Sequence, residues 1–242
     1  MTVTLLDKRI EVFTIPIFPL PACVFFPHTM LPLHIFETRY RAMIADALAG
    51  KRQLAVVMLQ PGHEADYHGR PPVYSMAGAG IIVGDEHLKD GRYNLMLQGV
   101  TRVEILEEIE PERPYRTARV RRVEDRYPGG DPERLRVEAE TLKRIFTKLV
   151  ESLPEAPDSL IGMAAGSPSP GALADEIAGV TVQDPAVKQH LLESLDVAER
   201  LDTVTDVVSR LLFHVMESAE GAVVEDDDDD DDGSGGSDRI LH

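Results

Sequence analysis

The rhythm of apolar and polar positions changes once along the chain. Before residue 128, short apolar-alternating segments are separated by glycine and proline; after it, longer segments carry apolar residues at helical spacing. A period of two is the mark of a strand, and steps of three and four mark a helix. The pattern therefore predicts an α+β chain, with a β-rich part over residues 1–127 followed by an α-helical bundle over 128–222.

In the first part, Val12 to Phe18 reads as a strand with Phe13, Ile15 and Ile17 on one side. Pro16, Pro19, Pro21 and Pro27 cannot donate to a ladder, so this stretch is expected at an edge or on an extended path over the surface. His34 to Leu48 is predicted helical, with Ile35, Phe36, Tyr40, Met43, Ile44, Ala47 and Leu48 on one apolar face and Gly50 as its cap. The unbroken apolar run Leu54 to Leu59 predicts a buried strand. Val73 to Val83 reads as a strand in which Gly78 and Gly80 mark a bulge or tight bend. Lys89-Asp90-Gly91-Arg92 is a hairpin-type turn, followed by alternation at Tyr93, Leu95 and Leu97 and by strands at Arg102 to Ile109 and Tyr115 to Val123. These strands and one helix predict a partly closed β-barrel.

The second part opens at Asp131-Pro132, an N-cap followed by proline at the first helical position. Leu135, Ala139, Leu142, Phe146, Leu149 and Leu153 then recur in steps of four and three. Ser169-Pro170 and Asp184-Pro185 start two further helices. After a break near Leu195 to Val197, a last helix carries Val197, Leu201, Val204, Val208, Leu211 and Val215. The two long seams are expected to pair in an antiparallel bundle. From Val223 onward, a polyaspartate run and a Gly/Ser segment predict a disordered acidic tail over 223–242.

Composition narrows the function classes. The formal net charge is -17, and outside the run Glu225 to Asp232 the chain remains acidic. An acidic surface repels phosphate backbones, which argues against nucleic-acid binding. The only basic concentration is Arg113, Arg116, Arg119, Arg121, Arg122 and Arg126. The favoured reading pairs these arginines with Glu107, Glu108, Glu110, Glu124 and Asp125 close in sequence; the alternative is an acidic partner, the acidic tail itself, or RNA. A single cysteine, Cys23, fits a reducing compartment. No apolar run approaches the roughly 20 residues that span a bilayer, and Met1 to Arg9 lacks the pattern of a signal peptide; the expectation is a cytoplasmic protein with no membrane partner.

No cofactor, metal or catalytic residue is expected. There is no phosphate-binding glycine loop with its Lys-Ser/Thr, and Gly78-Ala79-Gly80 lacks the third glycine of a dinucleotide site. His63, Glu64, Asp66 and His68 have ligand character but not the spacing of a zinc helix, and read as a polar loop. Cys23 lies in an apolar, proline-rich segment without a partnering base, and Ser167 belongs to a loop between helices rather than a nucleophile elbow.

Several segments carry a family resemblance. Ile15-Pro16-Ile17-Phe18-Pro19-Leu20, Val24-Phe25-Phe26-Pro27 and Leu31-Pro32-Leu33-His34-Ile35-Phe36-Glu37-Thr38-Arg39-Tyr40 resemble the opening of the Lon protease N-terminal domain. Gly91-Arg92-Tyr93 followed by Gly99-Val100-Thr101-Arg102 resembles its second signature, and Leu192 to Leu201, with Asp196 and Arg200, a helical segment near its end. The resemblance implies a PUA-like β-barrel followed by a helical bundle, in a stand-alone form without the ATPase and protease domains. It implies a non-catalytic module that binds unfolded or exposed apolar polypeptide segments, as an adaptor in protein quality control beside a protease or chaperone ATPase. An RNA-binding PUA-like module is the alternative.

Within the signature, Phe36 and Tyr40 are expected to pack into the barrel, Glu37 and Arg39 to fix the helix end, and Gly99 to permit a close backbone approach. The polypeptide-binding surface is expected in the groove between the β-domain and the helices, or on Phe25, Phe26, Met30 and Leu31 of the proline-rich stretch.

Overall fold

The computed structural model describes residues 12–62, 69–110, 112–127 and 132–225. The strands are β1 (Val12–Leu20), β2 (Met30–Ile35), β3 (Gln53–Met58), β4 (Met76–His87), β5 (Tyr93–Ile109) and β6 (Thr117–Val123), with helix α1 (Thr38–Ala49) between β2 and β3. The helices α2 (Pro132–Glu151), α3 (Ser159–Gly166), α4 (Pro170–Thr181), α5 (Pro185–Glu193) and α6 (Val197–Glu225) follow.

The sheet order is β2-β5-β4-β3-β1-β6, and a further pairing of β5 with β6 joins the sheet to itself. The long β5 makes this possible. Its first half pairs with β2, from Tyr93 to Gln98, and its second half with β6, from Arg102 to Ile109. The ring is therefore closed along one half of β5 and open where β2 lies. Arg102 to Ile109, expected as a separate strand, is the continuation of β5.

Side-chain size decides which face of the ring points inward. Ile15, Ile17, Ala55, Val57, Ala77, Ala79, Val103, Ala118 and Val120 form one cluster drawn from all five ring strands. Alanines and β-branched residues suit a narrow lumen. The alternate positions, with Phe18, Leu54, Val56, Ile82, Leu95 and Leu97, form a second cluster under Tyr40, Met43, Ile44 and Ala47 of α1. Because β3 is covered on both faces, it reads as an unbroken apolar run.

Helix α1 starts later than periodicity predicts. His34 and Ile35 belong to β2, where Leu31, Leu33 and Ile35 alternate with the exposed Met30, Pro32 and His34. The backbone is still extended at Glu37, which forms an ion pair with Arg39 at 3.0 Å as expected. Phe36 does not pack into the barrel: it is 62% exposed and stacks on His34, while Tyr40 is buried against Phe18. The bonds Gly99 N–H to Thr29 C=O and His28 N–H to Gly99 C=O set the phase of the β2–β5 ladder. In that phase Pro32, which has no N–H, faces the open edge, where a proline costs no ladder bond.

In the helical part α2 and α6 pack against each other along the expected seam. Leu135, Leu142, Phe146, Leu149, Val197, Leu201, Val204 and Val208 are buried, but burial ends there: Leu153 lies beyond α2 and Leu211 is partly exposed. Ser169 and Asp184 cap α4 and α5, each with proline just inside. Helix α3 was not foreseen; at eight residues with two glycines it draws its stability from packing on α2. Helix α6 runs on to Glu225, past the expected boundary at Val223. The Asp131 cap, the His63 to His68 segment and the polyaspartate tail lie outside the described residues.

Candidate functional site

The Pro21–Thr29 loop between β1 and β2 is laid across the sheet at glycines. A Cβ added at Gly78 would overlap the Phe25 carbonyl, and one at Gly99 the Phe26 carbonyl, so only glycine lets the loop approach this closely. The expected bulge is present beside Gly80. Thr29 donates its hydroxyl to the Phe26 carbonyl at 2.7 Å, and His28 holds a positive φ of 65° at the turn.

This loop splits two adjacent aromatics. Phe25 enters the cluster beneath α1, whereas Phe26 enters the helical core with Leu142, Phe146 and Leu173. The proline-rich stretch is thus a peg shared by both parts of the fold. What it leaves outside is one wall of a groove of about 450 Å3, whose opposite wall comes from α3, α4 and α5. Cys23, Val24, Met30 and Leu31 line the first wall; Met163, Glu176, Gly179, Val180, Gln183 and Lys188 line the second.

All four residues singled out from the sequence fall on the first wall. Phe25 and Phe26 are buried and back it, Leu31 is half-buried, and Met30 is 51% exposed. Facing them, Val180 is 43% exposed. The second wall is what sequence reasoning missed. Its residues are far from Met30 in sequence, and no motif marks them.

The charged groups of the groove differ in how well they are satisfied. Lys188 Nζ donates to the Gly179 carbonyl at 3.0 Å, near the C-terminus of α4 where a cation is favoured. Glu176 has no ion pair among the described residues, and its Oε2 is out of solvent contact without a hydrogen-bond partner. Burial pushes the Glu176 carboxyl above its ordinary pKa, opposed by the nearby Ser167 hydroxyl and His28. Burial likewise raises the Cys23 thiol, with Lys188 opposing, so this cysteine is less reactive than a free one.

The two walls are held in register by a buried ion cluster one residue from Glu176. Arg102 of β5 binds Asp175 of α4 with both terminal nitrogens, at 2.6 and 2.7 Å, and donates from Nε to the Leu192 carbonyl at 3.0 Å. Arg200 of α6 lies 3.3 Å from the same carboxylate and grips Asp125, after β6, at 2.9 and 2.7 Å. Burial alone would lower the pKa of Arg200, but Asp175 and Asp125 outweigh it and hold the guanidinium above its usual value. Backbone bonds Arg126 N–H to Leu195 C=O and Val197 N–H to Arg126 C=O extend the join. A Cβ at Gly171 would press on the Asp125 carboxylate and the Arg200 guanidinium, so the cluster lies close against α4 at this glycine.

The arginine concentration is paired in part as expected: Glu107 and Glu108 are among the carboxylates named from the sequence, whereas Glu104 and Asp46 are not. Arg119 pairs with Glu107, Arg116 with Glu108, Arg121 with Glu104 and Arg113 with Asp46. Among the described residues no group of three or more His, Cys, Asp or Glu is placed to hold a metal ion, and no helix is long and apolar enough to cross a membrane.

Comparison with known proteins identifies the family and the fold. Residues 14–210 match the model of the ATP-dependent protease La (LON) substrate-binding domain. The chain is 31% identical over 206 residues to a Lon protease of Anaeromyxobacter dehalogenans and 32% identical over 208 residues to Lon protease 2 of Myxococcus xanthus. Each alignment covers 85% of this chain but 24% of the relative, so the chain spans about a quarter of the length of these proteins. Among solved structures, the fold resembles the N-terminal domain of a Mycobacterium avium complex Lon protease, with a TM-score of 0.64 at 20% identity, covering 81% of this chain and 98% of that one. It also resembles a Lon N-terminal domain protein from Xanthomonas campestris, with a TM-score of 0.57 at 19% identity, covering 79% of this chain and 96% of that one. The chain belongs to the family of the LON substrate-binding domain.

Proposed function

We propose that the groove between the Cys23–Leu31 wall and the α3–α5 wall receives apolar segments of unfolded or partly unfolded polypeptides, and that the chain serves as a non-catalytic adaptor that presents them to a protease or chaperone ATPase. The observation that carries this reading is the groove itself. It is lined mainly by apolar side chains, it is the size of a ligand cleft, and Met30 and Val180 face it from opposite sides while still exposed. The family description supports a substrate-recognition role, and the names of the relatives support an association with proteolysis.

The energetics suit transient holding. Burying one large apolar side chain is worth about 1.5–3 kcal/mol, and association costs several kcal/mol in lost freedom. One or two anchors in an open groove therefore give weak, fast-exchanging binding, as a module that samples many clients requires. Weak binding also gives broad specificity, because the groove reads apolar bulk and not a sequence. The RNA-binding alternative has less support, since four arginines of the basic concentration are engaged by carboxylates.

Titration of the full chain with a permanently unfolded, fluorescently labelled model protein tests the proposal. Preference for the unfolded over the folded form is expected, and equal affinity for both would count against it.

A further inference from the structure

We infer that the groove selects apolar segments that carry a lysine or arginine beside the apolar anchor, with Glu176 as the group that reads the cation. This inference rests on the proposed reading of the groove as a polypeptide site, and adds the charge of the occupant.

The argument starts from the imbalance in the second wall. Of the charged side chains there, Lys188 already donates to the Gly179 carbonyl. Glu176 has neither an ion pair nor, at Oε2, a hydrogen-bond partner among the described residues. A half-buried carboxylate without a partner is costly in the empty groove. The Ser167 hydroxyl beside it offsets part of the burial, but it is neutral, and His28 forms no ion pair with Glu176 among the described residues, so the carboxylate still lacks a countercharge. An incoming ammonium or guanidinium supplies that countercharge at the part of the carboxylate that remains open to the groove.

The fold keeps Glu176 in place for this. Asp175, the preceding residue, is fixed by Arg102 and Arg200, so the turn of α4 that carries both carboxylates cannot rotate. Asp175 is spent on holding the two parts together, and Glu176 is left facing the groove. The acidity of the whole chain acts in the same direction, drawing basic segments in and turning acidic ones away.

The test uses the full chain and three labelled peptides with one apolar centre, Leu-Phe-Leu, flanked by lysine, serine or glutamate. Fluorescence anisotropy reads affinity at low and high salt. The lysine peptide is expected to bind about five-fold tighter than the glutamate peptide, the scale of a half-exposed ion pair, with the ratio shrinking in high salt. In Glu176→Gln the ratio falls towards one while the serine peptide binds as before, and Glu176→Lys reverses the preference. Thermal unfolding of each variant confirms that it is folded. A ratio unchanged in Glu176→Gln, or no ratio in the parent chain, overturns the inference and leaves the groove reading standing if Val180→Glu still weakens binding of the uncharged serine peptide at least several-fold. Failure of all three peptides to bind removes both.

Discussion

Arg102 and Arg200, from β5 and α6, converge on a single carboxylate, that of Asp175 in α4. All three residues are at most 2% exposed, so a strand of the barrel and two helices of the bundle meet at one nearly dry ion cluster. Two cations around one carboxylate would be unbalanced, and Asp125 supplies the second anion. Such a cluster adds little net stability compared with an apolar contact, but it is severe on partial removal.

Removing Asp175 leaves two guanidinium groups buried with one carboxylate. Asp175→Ala is expected to cost about 3–5 kcal/mol, measured by denaturant unfolding, and to loosen the groove. The double change Arg102→Met with Asp175→Leu is expected to cost clearly less than the single one, because no charge is left uncompensated.

Gly99→Ala tests the loop. A Cβ there overlaps the Phe26 carbonyl, so either the loop lifts or β5 shifts. A loss of about 1–3 kcal/mol is expected in thermal unfolding, with groove binding weakened because Met30 moves with the loop.

Substitutions at the anchors separate contact from support. Met30→Glu and Val180→Glu are exposed changes, expected to weaken polypeptide binding at least several-fold while leaving the melting temperature nearly unchanged. Phe26→Ala empties a place in the helical core and is expected to cost about 3–5 kcal/mol. If Met30→Glu destabilised the fold as much as Phe26→Ala, the assignment of Met30 to the surface would be wrong.

Glu176 and Glu108 give opposite pH signatures. The Glu176 carboxyl is raised by burial, so the folded state holds its proton more tightly than the unfolded one. Its ionised form opposes folding at neutral pH, and that opposition is relieved as pH falls through the raised value. Glu176→Gln is therefore expected to stabilise at pH 7, with the difference vanishing below the ordinary carboxylate range. Burial would also raise Glu108, but Arg116 and Arg70 outweigh it and the net shift is downward. Its contribution is present above the ordinary carboxylate range and is lost on acidification through the lowered value. Chemical denaturation at a series of pH values, comparing each variant with the parent, resolves the two.

Much of this architecture is legible in the sequence because local rules and packing agree. Ser169-Pro170 and Asp184-Pro185 start helices for the reason caps and prolines do so anywhere. The Gly78–Gly80 pair marks a bulge, and Gly99 a close approach. Helical spacing places Phe36 on the Tyr40 face, whereas the strand β2 extends through Ile35 and leaves Phe36 outside. Periodicity could not arbitrate, since Leu31, Leu33 and Ile35 fit a period of two just as His34 to Leu48 fits 3.6. Half of the groove was illegible for a different reason. Val180 and Glu176 face Met30 because long-range contacts, among them Phe26 in the helical core and the meeting of Arg102, Asp175 and Arg200, join the two parts, and such contacts leave no trace in spacing along the chain.

Fluorescence anisotropy of an unfolded model protein against the full chain and its Val180→Glu variant tests the central claim most directly. Saturable, weak binding to the parent chain, absent for the folded form of the same model protein and lost in Val180→Glu, is the expected result. Binding that is equal for folded and unfolded forms, or untouched by the change at Val180, would contradict it.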